Sequence, residues 1–413
     1  MRYILYVLSL TLACPLGVMA TDRYVSTNGS HTAPFTNWVE AATNLKVAVD
    51  WANTNNARDT VWVSNGVHFL STQVNVSNTV VRGISTNPAD VIIDGGNYEG
   101  RPTTNRCFRL NHANALLADL MITNGKVNAT TLPIYYGGGV YIDDAGGTVS
   151  NCTIMFNTAI DGAGIGTRDN DGKIYECFIS SNYATGRGAV GFWFGGFMSD
   201  CTIVANAATG SAGGVVMNGG LVQNCFIIEN SSYGTDSSSY GGGGLYMGAG
   251  STVRNCLIYS NWANSRGAVF VSSATMIQNC TIVSNRAGVG NPGGIYFYGA
   301  TCQVENTIVY LNDNPQWDKH ASTTFLSFTN CCTSTDPTTN GTGNITANPQ
   351  FVGVAQYNYR IASTSPCINK GINREWMNGA VDLDGHTRID RYYRQVDIGA
   401  YEFLKSGTLI SIY

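Results

Sequence analysis

The sequence has few charged residues, and this excludes several classes of partner. Only 12% of the 413 residues are charged, and the formal net charge is −4. There is therefore no basic field to hold a nucleic-acid backbone or an anionic membrane surface. Lys and Glu, which favour helices, are scarce, whereas 48 residues are glycine. We expect strands and turns rather than helices, and no nucleic-acid partner.

Long apolar runs are missing after the N-terminus. The run from Ile4 to about Val18 is too short for a good transmembrane helix, and no later stretch approaches the ~20 apolar residues that a bilayer requires. Val18-Met19-Ala20 suits signal peptidase. We predict a signal peptide, export to the cell surface or the extracellular space, and no transmembrane segment in the mature chain. An alternative, lipidation at Cys14, fits the neighbouring residues poorly.

The cysteines and histidines lack metal-ligand spacing. Of the 12 cysteines one lies in the signal peptide, which leaves eleven, an odd number. No Cys-x-x-Cys pair occurs, and no His lies nearby at the spacing of a zinc site. A zinc centre and a compact disulfide scaffold are both poor explanations, and we predict no cofactor, with Ca²⁺ as the alternative.

The sequence does contain a repeat. Between residues 149 and 311 one phrase recurs: apolar, any, Asn/Asp/Glu, Cys, any, Ile, any, any, Asn. From Cys152 to Asn306 its steps are 25, 24, 24, 31, 24 and 26 residues. A second phrase, a small residue followed by an apolar one as in Gly139-Val140, alternates with it. Each step holds three short runs of period 2 and has no room for a helix of ~10 residues.

This repeat predicts an all-β fold, a right-handed parallel β-helix with three short strands per coil of ~24 residues. Equivalent residues then form ladders along the axis, because stacked strands are ~4.8 Å apart. We expect an internal isoleucine file, buried free thiols in the cysteine file, a left-handed turn at the Asn/Asp/Glu position and hydrogen-bonded asparagines. The isoleucine file contains Ile154, Ile179, Ile203, Ile227, Ile258, Ile282 and Ile308.

The ends of the chain differ from the repeat. Apolar residues from Trp38 to Ala52 recur at helical spacing, as in an amphipathic helix that covers the open end of a solenoid. The domain prediction is a signal peptide at 1–20, an N-terminal cap at 21–58 with a helix at 38–53, a β-helix at 59–330 and a C-terminal closing segment at 331–413.

The end motifs carry a resemblance to a known family. They are Tyr24-Val-Ser-Thr-Asn-Gly-Ser-His, Ser365-Pro-Cys-Ile-Asn-Lys-Gly, Asp382-Leu-Asp-Gly and Asp397-Ile-Gly-Ala-Tyr-Glu-Phe. With the coils, the chain resembles bacterial right-handed β-helix proteins that carry a choice-of-anchor Q region. The coils are also similar to repeats of polymorphic outer-membrane proteins. The resemblance implies a pectate-lyase-like superfold and an exported, often surface-associated protein, but it implies no reaction.

Outward positions of the first strand in each coil offer a surface for a glycan. Tyr and Trp stack on sugar rings, and small residues leave space between them. The predicted ligand-binding residues are Tyr141, Trp193, Tyr246, Phe270, Tyr296 and Tyr298. They are bordered by the loop 231–240, which accounts for the 31-residue step. A plain surface role of these aromatics is the alternative.

Ionisable residues are sparse on this face. A polysaccharide lyase needs a base and a positive group, and Arg168 with Asp143 and Asp169 is the only cluster that qualifies. The alternatives are a surface salt bridge and a glycoside hydrolase. Asp382 and Asp384 look like part of a calcium loop but lack the remaining ligands, so a polar turn is the other interpretation.

The functional prediction follows from these observations. We expect an exported, monomeric solenoid that binds a polysaccharide or another surface glycan, or that acts as a structural or adhesive surface protein. A polysaccharide lyase acting on an acidic polysaccharide is the enzymatic alternative.

Overall fold

The chain winds into a right-handed parallel β-helix, so the predicted fold class is confirmed. The computed structural model describes residues 19–404 except 56, 97–104, 129–134, 169–171, 236–240, 300, 314, 336, 338 and 339. The predicted signal peptide thus lies almost wholly outside the described residues. Within the described ranges, no helix is long and apolar enough to cross a membrane.

Two long sheets, here called sheet 1 and sheet 2, hold the first and second strands of the coils. Sheet 1 contains Val74–Val76, Phe108–Leu110, Val140–Ile142, Ile165–Thr167, Val190–Phe192, Val215–Met217, Leu245–Met247, Val269–Val271, Ile295–Phe297 and Trp317–Lys319. Sheet 2 contains Asp22–Val25, Asp59–Val63, Thr79–Gly83, Leu116–Ala118, Gly147–Ser150, Gly172–Tyr175, Phe197–Ser199, Leu221–Gln223, Ser251–Arg254, Thr275–Gln278, Thr301–Glu305 and Phe325–Thr329.

Two further parallel sheets complete the coils, and the second of them differs from the three-strand prediction. Sheet 3 contains Gly66–Phe69, Val91–Asp94, Met121–Thr123, Thr153–Met155, Phe178–Ser180, Thr202–Val204, Phe226–Ile228, Leu257–Tyr259, Thr281–Val283, Ile308–Tyr310 and Cys332–Thr333. Sheet 4 contains Thr158–Asp161, Tyr183–Arg187, Ala207–Ala208, Ser231–Ser232, Trp262–Ala263 and Arg286–Ala287. The C-terminal part also contains an antiparallel strand pair, Phe351–Gly353 with Asn358–Ile361. Three short 3-10 turns are present at Pro88–Asp90, Val354–Gln356 and Glu375–Met377.

The isoleucine ladder lies inside the solenoid, as predicted. Ile154 pairs with Ile179, and the register continues through Ile203 to Ile282, all fully buried. One member is corrected: Ile282 pairs with Val309, and Ile308 instead lies beside Thr281. The last step contains one more residue than the Asn306 alignment assumed, so the parity of the strand shifts and Ile308 points outward.

The asparagine ladder joins coil to coil. Asn182 Nδ2 donates to Asn206 Oδ1 at 3.0 Å, and Asn206 Nδ2 donates to Asn230 Oδ1 at 2.9 Å. Each amide also bonds backbone carbonyls of its own and the preceding coil, for example Asn206 Nδ2 to Val204 O at 3.1 Å and to Ile179 O at 2.9 Å. The row runs from Asn157 to Asn312, where the amide of Gln316 ends it. These buried amides are therefore structural.

A left-handed turn separates sheet 2 from sheet 3 in successive coils. Its residues have φ between 45° and 59° and are Asn151, Glu176, Asp200, Asn224, Asn255, Asn279 and Asn306. Asparagine and aspartate tolerate this conformation because their short side chains bond the local backbone. The predicted turn is confirmed, with Asn306 in place of Glu305, and it continues to Asn330 with φ of 50°.

One helix, Leu45–Asn53, packs at the N-terminal end. Asn44 caps it, because its side-chain oxygen accepts from the N–H groups of Lys46 at 2.9 Å and Val47 at 3.4 Å. The buried face joins the solenoid core through Leu45, Ala48, Val49 and Ala52. The helix is shorter than the predicted 38–53, because Asn44 provides the first N-cap and the residues before it form turns.

The C-terminal segment, residues 349–404, folds back along the outside of sheet 3. Tyr359 and Tyr401 pack there against Leu257 and Val283. The left-handed turns of four consecutive coils hold its backbone. In each turn the asparagine Nδ2 donates a hydrogen bond to a carbonyl oxygen of the segment. Asn255 donates to Val381 O at 2.9 Å and Asn279 to Asp397 O at 3.4 Å. Asn306 donates to Ile372 O and Asn330 to Lys370 O, both at 2.8 Å.

A buried ionic group lies between this segment and the coils. Arg388 is fully buried, donates to Gly399 O at 3.0 Å and lies 3.2 Å from Glu402 Oε1 without a well-aligned hydrogen bond. Asp397 accepts the N–H groups of Asn369 and Phe403, each at 2.6 Å. Burial raises the pKa of Glu402 to about 8, although Arg388 opposes the shift.

The cysteines of the described residues are all free and buried. In the central file each thiol donates to the carbonyl two residues before it, as Cys177 Sγ does to Tyr175 O at 3.1 Å. Stacked side chains point the same way and fill the interior as small hydrophobes.

Candidate functional site

The aromatics predicted for ligand binding lie on the outer side of sheet 1, but most of them are covered. Tyr141 is 1% exposed, Trp193 6%, Phe270 1% and Tyr296 8%, whereas Tyr246 and Tyr298 are partly exposed. Strand parity gave the direction of these side chains correctly, but neighbouring rings and arginines cover them. The sequence predicted a row of solvent-exposed aromatic side chains, whereas the structure has two aromatic clusters in which most rings are buried.

The first cluster is centred on Tyr136, which was not among the residues predicted from the sequence. Tyr136 has its ring centroid 5.4 Å from that of Trp193 and 6.0 Å from that of Tyr141, with planes 27° apart in both pairs. The rings rest on glycines of sheet 1, since a Cβ at Gly191 would come within 3.1 Å of the Trp193 ring. The small residues of this face thus make room for aromatic rings that belong to the protein itself.

Two arginines cover the first cluster. Arg106 lies 4.9 Å from the Tyr141 ring and donates to the carbonyls of Tyr136 and Gly137. Burial lowers the pKa of Arg106 to about 10. Arg187 lies 4.3 Å from the centroid of the Trp193 ring. Both positions are typical of cation–π contacts.

The predicted catalytic residues Asp143 and Arg168 each lie beside a residue of opposite charge. Asp143 pairs with Arg109 and accepts from the Tyr141 hydroxyl at 3.1 Å. Burial acts to raise the pKa of Asp143, but hydrogen bonds from Arg109 and from a backbone N–H outweigh it, and the pKa is lowered. Arg168 lies 3.5 Å from Asp144, whose charge raises the pKa of Arg168. Asp169 lies outside the described residues.

An open cavity of about 510 Å³ lies beside the first cluster, where sheet 4 leads into sheet 1. Its lining includes Tyr135, Asp161, Thr185, Arg187 and Thr209. Sheet 4 brings these groups together, since a register shift after Ala159 makes Asp161 pair with Arg187 across adjacent strands. Alanines on the inner side of sheet 4 are buried beneath it. The cavity is therefore a polar groove on a rigid floor.

The groove contains one strong ion pair. Arg187 Nη2 lies 2.9 Å from Asp161 Oδ2, and Nε lies 3.3 Å from Oδ1. Burial acts to lower the pKa of Arg187, but the Asp161 carboxylate outweighs it and the pKa is raised. Gly186 leaves space for this carboxylate, because a Cβ there would come within 2.6 Å of Asp161 Oδ1. Donors and acceptors of both signs thus face the cavity.

The 31-residue coil borders this groove, whereas the sequence predicted that its loop 231–240 would border the aromatic face of sheet 1. Gly234 and Thr235 line the cavity, and residues 236–240 lie outside the described residues. Sequence reasoning missed Asp161, Arg187 and Tyr135 because it did not predict sheet 4. A signal was present: Arg187-Gly-Ala-Val recurs as Arg266-Gly-Ala-Val, where four other coils have glycine or alanine at the position of the arginine.

The second cluster lies further along sheet 1. The ring of Phe270 is 5.4 Å from that of Tyr246 and 5.9 Å from that of Tyr296, and the planes of the latter pair are 10° apart. Tyr298 stacks against Phe270 at 6.2 Å and against His320 at 4.5 Å. This row of aromatic rings runs along the solenoid axis.

The two residues predicted for calcium binding, Asp382 and Asp384, lie in a turn and bond other residues of the protein. Asp382 Oδ1 accepts the N–H groups of Asp384 at 2.9 Å and His386 at 2.8 Å, and Oδ2 accepts that of Glu402 at 2.8 Å. Asp384 is paired with Arg360 through both carboxylate oxygens. Although one donor atom each of Asp382, Asp384 and His386 lies within 4.8 Å of the others, their oxygens already have partners. This donor set does not fit Ca²⁺, which takes six to eight oxygens.

Comparison with known proteins identifies the class of fold. No protein-family model and no curated protein sequence matches the chain. The chain is similar to the crystal structure of pectate lyase Pel9A, with a TM-score of 0.55, and the match covers 94% of this chain and 97% of that one. The sequence identity is 12%, so the similarity concerns the fold alone.

Proposed function

We propose that this protein is an exported, monomeric β-helix that binds a polysaccharide in the groove lined by Tyr135, Asp161 and Arg187. The observation that carries the proposal is the cavity of about 510 Å³, which combines an aromatic ring, hydroxyls and an ion pair on a rigid sheet. Sugar hydroxyls both donate and accept, so a carboxylate beside a guanidinium suits them. An aromatic ring supplies a flat apolar surface for a sugar ring.

Export and family membership belong to the same proposal. The N-terminal segment with Val18-Met19-Ala20 supports a signal peptide, and the end motifs support a choice-of-anchor Q type protein. The polar residues of these motifs, such as Asp382 and Asp397, bond the backbone of the C-terminal segment. We therefore propose that the motifs hold this segment on the coils and take no part in ligand binding.

Binding is favoured over a lyase reaction. A lyase requires a group that accepts a proton near neutral pH. Arg168 has a raised pKa, and Arg106 is engaged by carbonyl oxygens under the Tyr141 ring. Asp143 is engaged by Arg109 and Tyr141. None of these described groups is poised as the base, and we propose a carbohydrate-binding solenoid.

Affinity electrophoresis of the full mature chain on a panel of soluble polysaccharides tests this function. Retardation by at least one polymer, reduced tenfold or more by Arg187→Gln and by Tyr135→Ala, is the expected result. Arg286→Gln is the matched control, because Arg286 is exposed, lies on the same sheet 4 and is remote from the cavity. No retardation by any polymer, or equal loss in the control, would reject the proposal.

A further inference from the structure

Two arginines occupy equivalent places in the solenoid but have different partners. Arg187 precedes Gly188-Ala189-Val190, and Arg266 precedes Gly267-Ala268-Val269. Three steps of sheet 1 connect the two valines, through Val215 and Leu245. At ~4.8 Å per step the two arginines are separated by roughly 14 Å along the axis. Both guanidinium groups cover aromatic rings on the same outer face.

The carboxylate that pairs with Arg187 has no counterpart at Arg266. The N–H of Gly162 donates to Arg187 O at 2.9 Å, and the N–H of Gly242 donates to Arg266 O at 3.0 Å. The residue before Gly242 is Gly241, which therefore occupies the position of Asp161. A Cβ at Gly241 would come within 2.9 Å of the Phe270 ring, so no side chain fits there. Within the described residues, the second arginine thus has no acidic partner.

The Arg266 guanidinium lies among aromatic rings and is otherwise unpaired. Its central carbon is 4.6 Å from the Tyr296 ring and 5.8 Å from the Tyr298 ring. Among the described residues it makes no hydrogen bond and no ion pair, and Nη1 is buried without a partner. An unpaired buried donor costs free energy, because it has given up its bonds to water. Nε and Nη2 also have no partner among the described residues and are not buried, so an oxyanion from outside the chain reaches the guanidinium through them.

The backbone at Arg266 has the left-handed conformation. Its φ is +56°, and the equivalent residues Gly137, Gly162, Ala212 and Gly242 have φ of +60°, +58°, +50° and +77°. A side chain in this region costs free energy relative to glycine. Because Ala212 shows that the turn accepts a side chain, a function of Arg266 is indicated not by its backbone but by its guanidinium, which has no hydrogen-bond or ion-pair partner among the described residues.

From these observations we infer that Arg266 binds the carboxylate of an acidic sugar, in a second subsite of the proposed glycan-binding face. The ligand carboxylate pairs with the guanidinium from the solvent side, whereas Asp161 pairs with Arg187 from within the chain, and the partly exposed rings of Tyr246 and Tyr298 contact the sugar. Arg266 as a whole is half-buried, so a solute reaches it from the surface. This inference rests on the proposed function and specifies the charge of the glycan.

Paired polymers test the inference. Polygalacturonate and the same polymer with its carboxyls reduced to alcohols differ only in the charged group. We expect Arg266→Gln to weaken binding of the mature chain to polygalacturonate tenfold or more and to leave binding of the reduced polymer within twofold. Arg266→Lys, which keeps the charge and loses the planar guanidinium, should give an intermediate loss. Equal effects on both polymers, or none, would overturn the inference.

A second measurement separates this site from the proposed function. Millimolar glucuronate should raise the thermal midpoint of the wild-type chain but not that of Arg266→Gln, whereas glucose should change neither. If no polymer binds but glucuronate stabilises only the chain with Arg266, the subsite stands and the polysaccharide function fails. If glucuronate has no effect, or if only inorganic sulfate stabilises the chain, Arg266 is not a carboxylate site.

Discussion

Arg187 and Asp161 face each other on adjacent strands of sheet 4, with Nη2 and Oδ2 2.9 Å apart. The Asp161 side chain is 4% exposed and that of Arg187 is 39% exposed. Solvent reaches the pair from the arginine side, which moderates its contribution to stability. The same exposure makes the pair available to a ligand.

Asp161→Asn should lower the free energy of unfolding by about 1 kcal/mol, because it removes the charge that faces a partly exposed cation. Urea denaturation of the mature chain measures this change. Asp313→Asn is the matched control, since Asp313 is exposed and 3.9 Å from Arg286, and should leave stability unchanged. A larger loss in the control than in Asp161→Asn would contradict the prediction.

Asn206→Ala should lower the free energy of unfolding by about 3 kcal/mol. The two hydrogens of Nδ2 are shared among Ile179 O, Val204 O and Asn230 Oδ1. Oδ1 accepts from the backbone N–H and Nδ2 of Asn182. Each buried bond contributes about 1 kcal/mol and the groups left unpaired cost more. Asn28→Ala, at an exposed position, serves as the reference in the same denaturation experiment. A loss below that of the reference would show that the ladder is dispensable.

The stability of the C-terminal segment should fall as the pH rises. Burial raises the pKa of Glu402 to about 8 from its ordinary value of 4.5, so the native chain retains a proton that the unfolded chain releases between these values. This contribution is complete below 4.5 and is lost as the pH rises through about 8.

Glu402→Gln should flatten this dependence, because glutamine is neutral at every pH. Thermal midpoints of the variant and the wild type at about pH 5 and about pH 9 make the comparison. The wild type should lose more stability over this interval than the variant does. Parallel curves would mean that Glu402 titrates normally.

The cysteines should be unreactive in the folded protein. Burial raises the pKa of the Cys302 thiol to about 11 and that of Cys331 to about 12, so little thiolate exists near neutral pH. Ellman's reagent should detect almost no thiol in the native mature chain and eleven in denaturant. Fewer than ten thiols in non-reducing denaturant would instead indicate a disulfide.

The internal ladders could be predicted from the sequence because their period is visible in it. The isoleucines and asparagines recur at nearly constant steps, and burial leaves a single register for each. The extra residue before Val309 broke that regularity, and the last member was assigned one position too early. Register can be inferred only as far as the period holds.

The candidate site was less predictable. Parity places Tyr141 and Trp193 outside sheet 1, but it carries no information on Tyr136, which lies between them. The strands of sheet 4 are as short as two residues, such as Ala207–Ala208, and show no alternation to detect. The groove depends on Asp161 and Arg187, which end strands of four and five residues and pair only after a register shift, so it became apparent only in three dimensions.

The attachment of the C-terminal segment to four turns has a consequence for how the protein comes apart. In a solenoid each coil contacts only its neighbours, so a terminal coil can detach without the rest. Here Asn255, Asn279, Asn306 and Asn330 belong to four successive coils and bond the same stretch of chain. Under mechanical load these four coils should unfold together, because one segment joins them, while the coils before them unfold one at a time.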